Sequence, residues 1–112
     1  MYYLYITTNL LKNVLYTGVT NNLNQRIVEH YLDRLEKKHF TGRYNAYWLV
    51  HYETYKYVND AIAREKEIKG WTRARKNELI NSENSEWRFY NEELFGKWPP
   101  DELDLFHRKD MQ

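Results

Sequence analysis

The chain has 112 residues, no cysteine and a formal net charge of +1. That length supports one compact domain with a modest core, and the missing cysteines exclude disulfides and thiolate metal sites. No apolar run approaches the ~20 residues of a membrane-spanning helix, and Met1-Tyr2-Tyr3-Leu4-Tyr5 lacks the basic and apolar segments of a secretory signal, so a cytoplasmic protein is expected. The near-zero charge hides an asymmetry. Residues 1–79 carry 13 Lys and Arg against 8 Asp and Glu, whereas residues 80–112 carry 4 against 8. A basic body with an acidic tail can accompany nucleic-acid binding, although a solvated surface explains it equally simply.

Tyr2 to Thr7, rich in Tyr, Ile and Thr, reads as a strand, and Val14 to Thr20 as a second. The turn residues from Asn9 to Asn13 make the pair a hairpin. Thr20-Asn21-Asn22 offers helix caps, and Leu23, Ile27 and Tyr31 recur at helical spacing, which predicts an amphipathic helix over about 22–35. Leu35 to Arg43 reads as a charged loop. Ala46 to Tyr55 is a third strand, with Tyr47, Leu49, His51 and Glu53 expected on one face and Trp48, Val50, Tyr52 and Thr54 on the other. Asn59 or Asp60 is expected to cap a second helix that ends at Gly70, and a third runs from about Thr72 to Asn81. The order β-β-α-β-α-α is an α+β pattern with a small three-stranded antiparallel sheet flanked by helices. Residues 1–82 form the expected domain. Residues 83–112 are an aromatic and acidic extension, with Trp87, Phe89, Tyr90, Leu94, Phe95 and Trp98, that is expected to pack on or trail from the domain, before Pro99-Pro100 and an acidic end.

Strand alternation puts Tyr3, Tyr5 and Thr7 on one face of the first strand and Tyr16, Gly18 and Thr20 on one face of the second, so a hairpin can bring Tyr5 beside Tyr16. Gly18 leaves a gap where a backbone or ligand could approach. Arg26 and His30, at i and i+4, share a helix face, as do Glu65 and Lys69. Each feature has a plain alternative: cross-strand packing, a bulge, or a solvated ion pair.

Taken together, the spacing resembles the GIY-YIG nuclease family. Tyr3-Leu4-Tyr5 stands for the family's Gly-Ile-Tyr and Tyr16-Thr17-Gly18 for its Tyr-Ile-Gly. Arg26 follows on the first helix, His30 one turn later, and Glu65 lies within Arg64-Glu65-Lys66-Glu67-Ile68-Lys69-Gly70-Trp71. The likeness covers about residues 2–81 and is nearest to small stand-alone bacterial members and, more distantly, to the N-terminal nuclease of the excision-repair incision subunit. Tyr3 replaces the first glycine and Thr17 the isoleucine. Many members carry an asparagine after the glutamate helix; Asn77, Asn81 and Asn84 are nearby, and none is assigned that role. Glu67 lies ~200° from Glu65 around the helix, and the family pattern selects Glu65.

The resemblance implies a metal-dependent endonuclease that hydrolyses phosphodiester bonds, on DNA in preference to RNA, in repair or recombination. Glu65 would hold one Mg²⁺ or Mn²⁺, a hard cation that keeps waters and can still take a phosphate. Arg26 would contact the scissile phosphate. Tyr5 would deprotonate or position the water, with nearby positive charge favouring its phenolate. Tyr16 would assist, and His30 would hold a phosphate oxygen or orient Tyr5. Lys37, Lys38, Arg43, Lys69, Arg73, Arg75 and Lys76 would bind backbone phosphates without reading sequence, with a protein partner as an alternative means of targeting. The competing reading is a catalytically silent nucleic-acid- or protein-binding module on the same scaffold.

Overall fold

The computed structural model describes residues 1–101. Its elements are β1 (Tyr2–Thr8), β2 (Leu15–Thr20), α1 (Leu23–Asp33), α2 (Phe40–Arg43), β3 (Trp48–Tyr55), α3 (Val58–Lys69), α4 (Arg73–Glu83) and α5 (Asn91–Phe95). The expected α+β architecture is present as an antiparallel sheet in the order β2-β1-β3. The strand with apolar residues on both faces takes the centre, as burial on both sides requires: Leu4 to Thr8 are all buried. Leu4 and Ile6 pack with Val50 of β3, Ile68 of α3 and Ile80 of α4. On the opposite face Tyr5 packs with Leu23 and Ile27 of α1, Leu49 and Trp98. The sheet is therefore a partition, with α3 and α4 on one side and α1 and the C-terminal segment on the other. Among the described residues no helix is long and apolar enough to cross a membrane.

Local chemistry explains most element ends. Asn22 caps α1 by accepting from the Gln25 N–H, and Thr72 caps α4 by accepting from Arg75. Neither Asn59 nor Asp60 caps α3. That helix starts one residue earlier, at Val58, with Tyr57 making no side-chain cap bond, and Asp60 sits in its first turn, where a carboxylate favours the helix dipole. Gly70 ends it as expected. The stretch read as a loop contains the short α2, and the tail contains α5. Lying after residue 101, the final acidic residues fall outside the described part.

The face assignment of β3 is corrected by a bulge. Ile6 pairs with His51 but Thr7 pairs with Leu49, so Val50 is the extra residue. Leu49 then joins the Tyr5 cluster while Val50 joins Leu4 and Ile6, and Leu49 and His51 no longer share a face.

β3 is also an edge strand, and an uncovered edge leaves backbone groups unpaired. Here the C-terminal segment covers it. The Tyr90 N–H donates to the Leu49 carbonyl at 2.8 Å. Asn91, fully buried, accepts from the Leu49 N–H at 2.8 Å and donates to the Tyr47 carbonyl at 3.0 Å. Asn84 donates to the Val50 and Arg88 carbonyls and accepts from the Arg88 N–H. The expected aromatic packing is present too, with Trp87 and Phe89 against one core and Tyr90, Leu94, Phe95 and Trp98 in the other. Replacing Asn91 by Ala orphans two buried backbone groups, and we expect a loss of about 2–4 kcal/mol in urea unfolding, at ~1–3 kcal/mol for each unsatisfied group.

Candidate active site

The site is built where β1, β2 and α1 meet. Tyr5 faces Gly18 across the β1–β2 ladder, and Thr7 faces Tyr16, so the two tyrosines are diagonal neighbours whose ring centroids lie 6.2 Å apart. The gap expected over Gly18 is filled by Tyr5 itself: a Cβ at Gly18 would stand 2.5 Å from the Tyr5 hydroxyl oxygen. The motif glycine thus serves the motif tyrosine.

The Tyr5 hydroxyl is 2.7 Å from His30 Nε2, and His30 Nδ1 is 2.9 Å from the Thr41 hydroxyl. All three residues are buried. Both nitrogens of His30 are therefore occupied, and the ring sits 5.2 Å from that of Tyr16. Burial, reinforced by the charges of Arg26 and His39, pushes the His30 imidazolium down to about 3, so the ring is neutral near neutral pH. Burial and the neighbouring Tyr16 raise the Tyr5 pKa well above its ordinary value, although Arg26 pulls the other way. Arg26 favours the Tyr5 phenolate as expected, but in the free protein desolvation outweighs it.

A cavity of about 440 Å³ opens beside this chain, walled by Tyr16, Arg26 and His30. Tyr5, with no exposed surface, lies behind that wall. Five lining residues, Glu29, Asp33, His39, Phe40 and Thr41, were not singled out as site residues in the sequence, and three of them shape the site directly. Glu29 pairs with Arg26 at 2.7 Å, Asp33 stands one turn further along, and Thr41 anchors His30. The first two were legible in principle, since Glu29 and Asp33 sit at i+3 and i+7 from Arg26 on one helix face. Thr41 was not: it reaches His30 because α2 folds against the end of α1, and only glycine permits that approach, a Cβ at Gly42 meeting the Asp33 carbonyl oxygen at 2.3 Å.

Glu65 is not part of the cavity wall. It lies on α3, which packs on the opposite sheet face, and its carboxylate is 3.4 Å from Lys69 with 22% side-chain exposure. Lys69 and Lys76 line a second cleft of about 290 Å³ that shares Tyr16 and Phe40 with the first cavity, and Glu65 is linked to that cleft through its ion pair with Lys69. Glu67 belongs elsewhere: Arg64 ties it to Glu53, which also takes bonds from His51 and Tyr55. A partly exposed carboxylate held, among the described residues, by a lysine suits a hard cation that draws its remaining ligands from water and phosphate. Among the described residues no three His, Cys, Asp or Glu side chains gather as a ready-made cage.

The expected phosphate contacts divide. Lys37 and Lys38 are exposed before α2, with Lys38 3.7 Å from Glu36, and Arg43 is exposed at its end. Arg75 lies over the Trp71 ring at 4.2 Å. Arg73 departs from the expected role. Its guanidinium donates to the Lys12 and Asn13 carbonyls and to Asn77, stapling α4 to the β1–β2 turn. Of the three asparagines left unassigned, Asn77 bonds Arg73, Asn81 accepts from the Trp87 indole, and Asn84 clamps β3.

Residues 1–78 match the model of the GIY-YIG catalytic domain. The chain belongs to the GIY-YIG family. It is 35% identical over 82 residues to a UPF0213 protein of Natronomonas pharaonis, covering 73% of this chain and 93% of that protein. It is 38% identical over 80 residues to a UPF0213 protein of Clostridium perfringens, covering 71% and 84%. No solved structure matches. The GIY-YIG match ends before Asn84 and Asn91, so the brace on β3 lies beyond the segment shared with the family model.

Two outcomes test this geometry. Gly18→Ala should cost about 1–3 kcal/mol by overpacking against Tyr5. Gly70→Ala, whose Cβ meets only ordinary contacts at 3.5 Å, should be neutral or slightly stabilising in the same thermal melts. The His30 proton gives a pH signature. The unfolded chain binds it near 6.5 and the native chain only near 3, so the unfolded state holds more protons in between. Stability is therefore fully present above pH 6.5 and falls as pH drops. We expect a loss of about 2–3 kcal/mol between pH 6.5 and 4.5, at ~1.4 kcal/mol per unit, and a flatter profile in His30→Gln by urea unfolding. Below that range Glu53, held down to about 2 by bonds from His51, Arg64 and Tyr55 that overcome burial, adds its own loss.

Proposed function

We propose that this protein is a metal-dependent endonuclease that hydrolyses phosphodiester bonds in nucleic acid, DNA in preference to RNA. The observation that carries this reading is the joining of an arginine, a half-buried tyrosine and a buried histidine along one cavity wall, with Tyr5 hydrogen-bonded to that histidine from behind, in a chain of the GIY-YIG catalytic family. Residues 1–82 would be the catalytic unit and the following segment its brace.

In this mechanism Arg26 leaves Glu29 to take a phosphoryl oxygen, a stronger bidentate partner in the transition state. Its departure opens the route to the Tyr5 hydroxyl. Tyr5 accepts the proton of the attacking water while passing its own to His30 Nε2, which avoids a free phenolate in a buried position. The imidazolium so formed donates its second N–H to Thr41, and the arriving phosphate charge offsets the burial that disfavours it. Tyr16 hydrogen-bonds a phosphate oxygen from the cavity side. Mg²⁺ or Mn²⁺ on Glu65 would supply charge neutralisation and an acidified water. Lys69 and Lys76 would hold the backbone along the second cleft, with Lys37, Lys38 and Arg43 contacting it further out.

A catalytically silent binding module is the rival, favoured by one observation: Arg26 is already paired with Glu29. Nicking of supercoiled plasmid with Mg²⁺ or Mn²⁺ decides between them. Arg26→Ala and Glu65→Ala should each reduce cleavage by about 100-fold or more, as expected for a lost transition-state contact. Cleavage that survives chelation, or is unaltered in Glu65→Ala, refutes the nuclease assignment.

A further inference from the structure

On the sheet face away from the candidate active site, His51 is held in an unusual state for a buried side chain. It is only 1% exposed, and its Nε2 lies 2.7 Å from Glu53 Oε2. A carboxylate held by Arg64 Nε at 3.0 Å and by the Tyr55 hydroxyl at 2.6 Å only accepts, so Nε2 carries the proton and, in the neutral ring, Nδ1 is a bare lone pair. Nδ1 has no hydrogen-bond partner. An unsatisfied buried group of this kind costs ~1–3 kcal/mol unless something meets it. It borders a cleft of about 300 Å³ lined by His51, Tyr52, Glu83 and Tyr90, and the Glu83 Oε2 stands 3.6 Å away.

That distance is informative. It is too long for a hydrogen bond but close to the separation of two ligands sharing one ion: a Zn–N bond of ~2.05 Å and a Zn–O bond of ~2.1 Å at the tetrahedral angle place nitrogen and oxygen roughly 3.4 Å apart. The outer contact is the one such sites use, a carboxylate fixing the far N–H of the ligating imidazole, and Arg64 fixes that carboxylate in turn.

We propose that His51 Nδ1 and Glu83 form a second metal site, for a borderline divalent cation such as Zn²⁺, with solvent completing the coordination in the Tyr52–Tyr90 cleft. An imidazole with one carboxylate suits Zn²⁺, whereas Mg²⁺ prefers oxygen donors alone. Glu83 and Tyr90 both lie after residue 78, so the site joins β3 to the segment outside the GIY-YIG match. A bound cation would tie the end of α4 to the sheet edge and act as a structural clip independent of Glu65.

The test is calorimetric titration of the full chain with Zn²⁺, alongside histidine ring-nitrogen NMR. One equivalent should bind, shift the His51 Nδ1 resonance and raise the melting temperature, and excess Mg²⁺ should leave it in place. Glu83→Gln, at a side chain 61% exposed and therefore tolerant of exchange, should weaken binding by about tenfold or more, the scale set by loss of a site's supporting contact. His39→Ala should bind as the parent does. Absence of binding, an unmoved His51 resonance, or equal affinity in Glu83→Gln overturns the proposal.

Discussion

The hydrogen bond between the Tyr5 hydroxyl and His30 organises much of this molecule. It crosses from the central strand to the first helix between buried groups, and Thr41 occupies the other ring nitrogen. Such a buried polar chain is tolerable only when every member is satisfied. Two glycines make it sterically feasible. Gly18 clears room for the Tyr5 ring, and Gly42 lets α2 approach α1 closely enough for Thr41 to reach His30. The cavity wall formed by Tyr16, Arg26 and His30 follows from that anchoring. The same burial that orders the pair also keeps both groups uncharged at rest, so a proton passed between them would have to be coupled to charge arriving in the cavity.

A second constraint sits on the far side of the central strand. β3 is bulged and would be an open edge, yet its backbone is claimed by Asn84, Tyr90 and Asn91. Side-chain amides do here what another strand would do, offering a donor and an acceptor to an irregular backbone that a regular ladder could not match. The segment after the family match is therefore structural rather than appended, and it brings Glu83 and Tyr90 beside His51.

Charge is organised more finely than a net value of +1 suggests. Arg26, Arg64 and Arg73 are engaged with Glu29, with Glu53 and Glu67, and with backbone carbonyls respectively. Lys69 and Lys76 line the cleft beside Tyr16 instead. The arginines thus behave mainly as internal fasteners whose planar forks hold fixed partners, and the lysines of α3 and α4 supply the diffuse positive surface.

The order of the main elements, the three-stranded sheet, a cap for α1 within Thr20-Asn21-Asn22, and the Tyr5–Tyr16 and Arg26–His30 pairings were legible in the sequence. Each rests on local periodicity or short spacing, which chain geometry translates directly into shared faces, whereas the meeting of the two pairs was implied by the resemblance to the GIY-YIG family. The tertiary structure alone decided what depends on distant partners. It placed Tyr5 behind the wall and kept it protonated, because desolvation by packed neighbours outweighs the arginine charge. It put Leu49 and His51 on opposite faces through a one-residue bulge. It turned Arg73 into a staple, made Asn84 and Asn91 into edge clamps, and left Glu65 outside the cavity wall beside Lys69. Periodicity says which way a residue faces on its own element, but what that residue meets is decided by the element packed against it.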